Sequence, residues 1–149
     1  LLGVALVLQE FGEVIAPGGA GVVIASMAGH FLPPLSAEQE RALAHKPPGE
    51  LLTLDFVSDI REPNFAYPIA KHANHLRVRA ASAQWGRRCA RINSISPGII
   101  STPMGQQELA SPVGDGMRAM IAMSGTGRIG TPDDIAAAAA FLLGSDANF

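Results

Sequence analysis

An α/β fold built on a parallel sheet is what this sequence predicts, and three observations carry it. Gly21–Ala25 (GVVIA) is a short, continuously apolar run between turn signals, the pattern of a strand buried on both faces. Ala90–Ser96 (ARINSIS) reads as a second parallel strand, ended by Pro97-Gly98. Helical patterns precede, separate and follow the two.

Leu1–Ile15 opens the chain as a helix, with Leu1, Val4, Leu8, Phe11 and Ile15 recurring at three- and four-residue steps. The pattern is under way at residue 1 with no N-cap before it, so the chain is expected to begin in mid-helix. The first strand ends at Ser26, where open α/β sheets place their ligands. His30–Glu62 differs in texture. Four prolines punctuate it, and Ser36–Gln39 has a capping-box spacing that opens a helix reaching His45. A second short helix is expected over Glu50–Val57, so residues 30–62 read as a helical insertion or lid. His30 and His45 lack metal-ligand partners at a recognisable spacing and read as ordinary polar residues.

Asn64–Trp85 is the longest helical pattern. Pro68 lacks an N–H and is expected in the first turn, which places Tyr67 at the helix start, with Gly86 as the stop. His72 and His75 are expected on the exposed or interface side. After the second strand, Met104–Met123 is a looser helical region holding four of the five methionines. Methionine adapts to irregular apolar ligands but also fills cores, and the core reading is favoured here. Thr131-Pro-Asp-Asp134 starts a last helix with N-cap, proline at N1 and acid at N3, and five alanines in Ile135–Leu143 allow close packing on a sheet.

Composition narrows the function. The chain has 149 residues, enough for one domain, with 48% apolar and 16% charged residues, so a buried core is expected and disorder is not. Net charge is −2, which argues against a nucleic-acid partner. Arg77, Arg79, Arg87, Arg88 and Arg91 cluster and read as a solvated helix end rather than an anion site. The one cysteine, Cys89, excludes an internal disulfide and reads as a small buried apolar residue. The apolar start lacks a basic region and a cleavage site, and no run approaches a membrane span, so a cytoplasmic protein away from membranes is expected. No metal site is expected.

The chemistry points to Tyr67-Pro-Ile-Ala-Lys71. Four-residue spacing in a helix puts both side chains on one face, one turn apart. A phenol is a poor acid near neutral pH, with a pKa of about 10, and a nearby ammonium favours its ionised form. A paired Tyr/Lys can therefore pass a proton to and from an alcohol or carbonyl oxygen.

Ser26-Met-Ala-Gly29, Tyr67-Pro-Ile-Ala-Lys71, Asn93-Ser-Ile-Ser-Pro-Gly98 with Thr102, and Gly127-Arg-Ile-Gly-Thr-Pro-Asp-Asp-Ile-Ala136 occur in this order. Together they resemble the short-chain dehydrogenase/reductase family, over nearly the whole chain. The resemblance implies a Rossmann-type doubly wound sheet and a nicotinamide cofactor, NAD or NADP. It implies Ser26, Tyr67 and Lys71 as catalytic residues. Tyr67, Lys71, Pro97, Gly98, Ile100 and Thr102 are implied as cofactor contacts. The long Ser26-to-Tyr67 spacing resembles the subgroup with bacterial 3-alpha-hydroxysteroid dehydrogenase/carbonyl reductase. The family's Gly-rich phosphate turn, cofactor-selecting residue, fourth catalytic Asn and last strand are not found, so residues 1–149 are expected to be the carboxyl-side portion of an NAD(P)-binding domain. The expected activity is interconversion of a secondary alcohol and a ketone, with a bulky apolar substrate and a homodimer or homotetramer as assembly. A catalytically silent scaffold, or an epimerase or dehydratase using the same pair, are the alternatives.

Overall fold

The computed structural model describes residues 1–148. Two strands, β1 (Ala20–Ile24) and β2 (Arg91–Ile95), pair in parallel from Ala20 opposite Arg91 to Ile24 opposite Ile95. This is the partial, mostly helical Rossmann-type arrangement that the sequence predicts. Helix α1 (Leu2–Val14) precedes β1, and α2 (Ala37–His45), α3 (Asp55–Ser58) and α4 (Pro63–Gly86) lie between the strands. Then come α5 (Pro103–Leu109), α6 (Gly114–Met123) and α7 (Pro132–Leu143), the last packed on both strands.

Local signals explain the helix ends. Ser36 and Thr131 each close a full capping box, with Gln39 and Asp134 respectively. Arg128 grips Asp134 through both carboxylate oxygens, at 2.7 and 2.8 Å, and this pairing holds the Asp134 carboxyl far below its usual range. Glu50–Val57 is not one helix. A 3₁₀ turn (Pro48–Thr53) and the single turn of α3 are separated by extended Leu54. The long helix starts at Pro63, not beside Tyr67, so Pro68 lies in its second turn. A proline that early removes only one intrahelical bond, and Pro63 takes the N1 position that suits a residue without an N–H.

Helix α4 is the spine of the core. One cluster joins Leu8 of α1, Val78 and Trp85 of α4, and Ile92 of β2. A second places Leu43 of α2 against Ala73 and Leu76 of α4, with Phe56 and Val57 packed on it, so the 30–62 segment docks on α4 through its own apolar contacts. Apolar side chains on α1 (Leu6, Val7, Phe11, Val14) and α7 (Phe141, Leu143) stay exposed, because two strands offer too little surface to cover them.

Three expectations change here. Three of the five clustered arginines cap other helices, while Arg79 and Arg87 are exposed as expected. Arg77 donates to the carbonyls of Leu43 and Lys46, Arg88 to that of Ile15, and Arg91 to those of Leu142 and Gly144. Each is a cation at a helix C-terminus, where unpaired carbonyls gather. Cys89 is exposed rather than buried, because it takes the left-handed position (φ 54°) of the turn between α4 and β2. Met104 and Met123 are 66% and 79% exposed and fill no core.

Candidate active site

Backbone pairing beyond the strands builds the site. The Ala25 N–H donates to the Ile95 carbonyl at 2.8 Å, and the Met27 N–H donates to that of Pro97 at 3.0 Å. Ser26 is therefore held at the carboxyl edge of both strands. Its Oγ accepts from the Ala28 N–H at 3.2 Å and caps the 3₁₀ turn Met27–His30, leaving the hydroxyl proton to donate elsewhere.

Gly29 fixes that turn against α4. A Cβ on Gly29 would lie 2.7 Å from the His72 nitrogen and 2.9 Å from the Lys71 carbonyl carbon. These are backbone atoms and cannot swing aside. Gly29→Ala in the full-length protein is accordingly expected to lower stability by ~1–3 kcal/mol, read from the denaturant midpoint. An unchanged midpoint would show that the turn does not press on α4.

Lys71 reaches back across this contact and donates from Nζ to the Ile24 carbonyl at 3.1 Å. Tyr67 lies one turn earlier, with its ring centroid 5.5 Å from the same Nζ. The phenol is half exposed, and among the described residues it makes no hydrogen bond with Ser26. The structure thus brings Tyr67 to Lys71 and Lys71 to the strand end that carries Ser26.

The predicted cofactor contacts divide. Gly98 and Ile100 line a cleft of about 340 Å³ with Met27, Met120 and Ile121. Ile100 is fixed there by a parallel bridge to Gly130. Thr102 does not line the cleft. Its Oγ1 accepts from the Gly105 N–H at 3.0 Å and caps α5. Pro97 lies outside the lining as well, holding the Ser26 segment through its carbonyl. Ser26, Tyr67 and Lys71 do not line the cleft either, and Met27, next to Ser26, is where the two regions meet.

Sequence reasoning missed the imidazoles. His75 is buried at 9% exposure, and its ring stacks on His30 with centroids 4.3 Å apart. His72 Nε2 lies 3.2 Å from Glu40 Oε1, and its Nδ1 lies 3.0 Å from the Gly29 carbonyl. Neither ring belongs to an exposed face. The signal was present, because positions 67, 71 and 75 share one helical stripe and docking that stripe on the Gly29 turn buries His75 with it. Among the described residues no group of three or more His, Cys, Asp or Glu could hold a metal ion, and no helix is long and apolar enough to cross a membrane.

Comparison with known proteins identifies the family. Residues 34–149 match a family model described as Enoyl-(Acyl carrier protein) reductase. The chain is 37% identical over 153 residues to the short-chain dehydrogenase/reductase bsc3 of Alternaria brassicicola, covering 100% of this chain and 55% of that protein. It is 33% identical to galactitol 2-dehydrogenase (L-tagatose-forming) of Cereibacter sphaeroides, covering 73% and 44% respectively. Among solved structures, the 3-alpha-hydroxysteroid dehydrogenase from Pseudomonas sp. B-0831 complexed with NADH superposes with a TM-score of 0.79 at 28% identity, covering 99% of this chain and 57% of that one. The chain spans about half the length of the relatives it matches. With the helix-borne tyrosine and lysine beside a strand-end serine, and a family match over most of its length, the chain belongs to the short-chain dehydrogenases/reductases.

Proposed function

We propose that the full-length protein is an NAD- or NADP-dependent oxidoreductase that interconverts a secondary alcohol and a ketone. One observation carries the reading. The Lys71 ammonium lies between the Tyr67 ring and the Ile24 carbonyl, two residues before Ser26. Ser26 donates its free hydroxyl proton to the substrate oxygen and holds it in place. Tyr67 gives that oxygen a proton in reduction and takes one in oxidation. Lys71 keeps its ammonium 5.5 Å from the centre of the Tyr67 ring while its bond to the Ile24 carbonyl holds it at the strand end.

The residues fit a nicotinamide nucleotide. Lys71 has donors left over after its bond to Ile24, suited to ribose hydroxyls. Beside the cleft, a Cβ on Gly98 would meet only the Met27 sulfur, at 3.4 Å, so that backbone is open to close approach. Tyr67, Lys71, Pro97, Gly98, Ile100 and Thr102 would hold the group, and when bound it supplies or accepts the hydride. Met27, Met120 and Ile121 give the cleft apolar walls that suit a bulky apolar substrate. The relatives named as galactitol and hydroxysteroid dehydrogenases support the alcohol/ketone class. Assembly as a homodimer or homotetramer is part of the same proposal.

The test supplies the full-length protein with NAD⁺ or NADP⁺ and a panel of bulky secondary alcohols, and follows net formation of reduced cofactor by absorbance. Steady formation with at least one alcohol is the expected result. Cofactor binding without any turnover would leave a silent scaffold. A changed substrate with no net cofactor reduction would point to an epimerase or dehydratase.

A further inference from the structure

We infer that His30, Ser96 and His75 form a hydrogen-bonded chain that positions Ser26 against Lys71, an assignment that rests on the function proposed above. His75 Nε2 lies 3.0 Å from Ser96 Oγ, and the same Oγ lies 3.2 Å from His30 Nε2. Three segments meet at this hydroxyl. His30 closes the turn that Ser26 caps, Ser96 follows the last residue of β2, and His75 stands one turn after Lys71 on α4.

The proton positions follow from burial. Among the described residues, His75 Nδ1 is buried without a hydrogen-bond partner. A buried orphan N–H is rarer and costlier than an orphan acceptor, so the proton sits on Nε2. His75 Nε2–H then donates to Ser96, and Ser96 O–H donates to Nε2 of exposed His30. The direction of the chain is thereby set. Burial first, then the charges of His30, His72, Arg79 and Lys71, hold His75 below its ordinary value of 6.5, which keeps it neutral. Glu40 of α2 faces the cluster through its contact with His72. A second link, from the Gly29 carbonyl to His72, does not involve Ser96 and keeps the turn from detaching outright.

The pH dependence has a definite sign. A histidine held neutral in the fold destabilises it once the unfolded chain takes up the proton. Stability is full above about pH 6.5 and falls as pH drops through that value.

The experiment uses the full-length protein with ¹⁵N-labelled histidine. The wild-type spectrum is expected to show His75 protonated on Nε2. Ser96→Ala is expected to free the His75 tautomer and to lower kcat about tenfold at neutral pH. KM for the cofactor should stay within about twofold. Ser96→Thr, which keeps a hydroxyl, should restore both the tautomer and kcat. A His75 proton on Nδ1, or a Ser96→Ala variant with wild-type kcat, would overturn the assignment. If Tyr67→Phe is as active as wild type while Ser96→Ala still frees the His75 tautomer, the proposed chemistry fails and the positioning role falls with it. The hydrogen-bonded chain itself would then remain as a tie between the turn and α4.

Discussion

Tyr67→Phe in the full-length protein is expected to lower kcat by about a hundredfold or more, the range for losing a positioned general acid. That corresponds to about 3 kcal/mol of barrier. The substitution removes one oxygen and keeps the ring. The ring is half exposed, and among the described residues its hydroxyl has no hydrogen-bond partner, so stability should move by no more than about 0.5 kcal/mol. Lys71 keeps both its contact with the ring and its bond to the Ile24 carbonyl. The variant therefore separates chemistry from folding, and steady-state turnover beside a denaturant midpoint reads both. Wild-type turnover with a wild-type midpoint would remove Tyr67 from the mechanism.

Trp85→Ala is expected to have the largest effect on stability, a loss of ~3–5 kcal/mol. The indole is 3% exposed and donates from Nε1 to the Leu8 carbonyl at 3.2 Å, tying α4 to α1. It also fills space that two glycines leave open. A Cβ on Gly12 would lie 3.1 Å from Nε1, and one on Gly21 would lie 2.8 Å from the far edge of the indole. Removing the ring leaves a cavity bordered by residues with no side chain to close it. Chemical denaturation of the full-length variant should show the drop in midpoint. Trp85→Phe should cost less, because much of the ring volume remains. A small loss for Trp85→Ala would mean that α1 and β1 collapse onto α4 without it.

Readings that depend on a few neighbouring residues hold well in the structure. The caps at Ser36 and Thr131 are local geometry, satisfied within three residues. The parallel strands were visible because apolar runs between turn residues leave few other choices. The helical stripe of Tyr67 and Lys71 follows from the helix period alone, wherever the helix begins. The start of α4 was misplaced because Pro63 and Pro68 both fit a first turn, and only the entry of the chain from the 30–62 segment selects Pro63.

Composition and spacing were enough to establish the fold class, the helix caps and the pairing of Tyr67 with Lys71, since each depends on covalent geometry over a turn or a strand. The meeting of Lys71 with the Ser26 strand end, the burial of His75, and the capping of three helices by Arg77, Arg88 and Arg91 depend on contacts between residues 21 to 73 positions apart. Such contacts form only when Gly29 lets a turn lie directly on the backbone of α4 and when whole helices settle against one another. No local pattern encodes that packing, because it is a property of two surfaces rather than of either one.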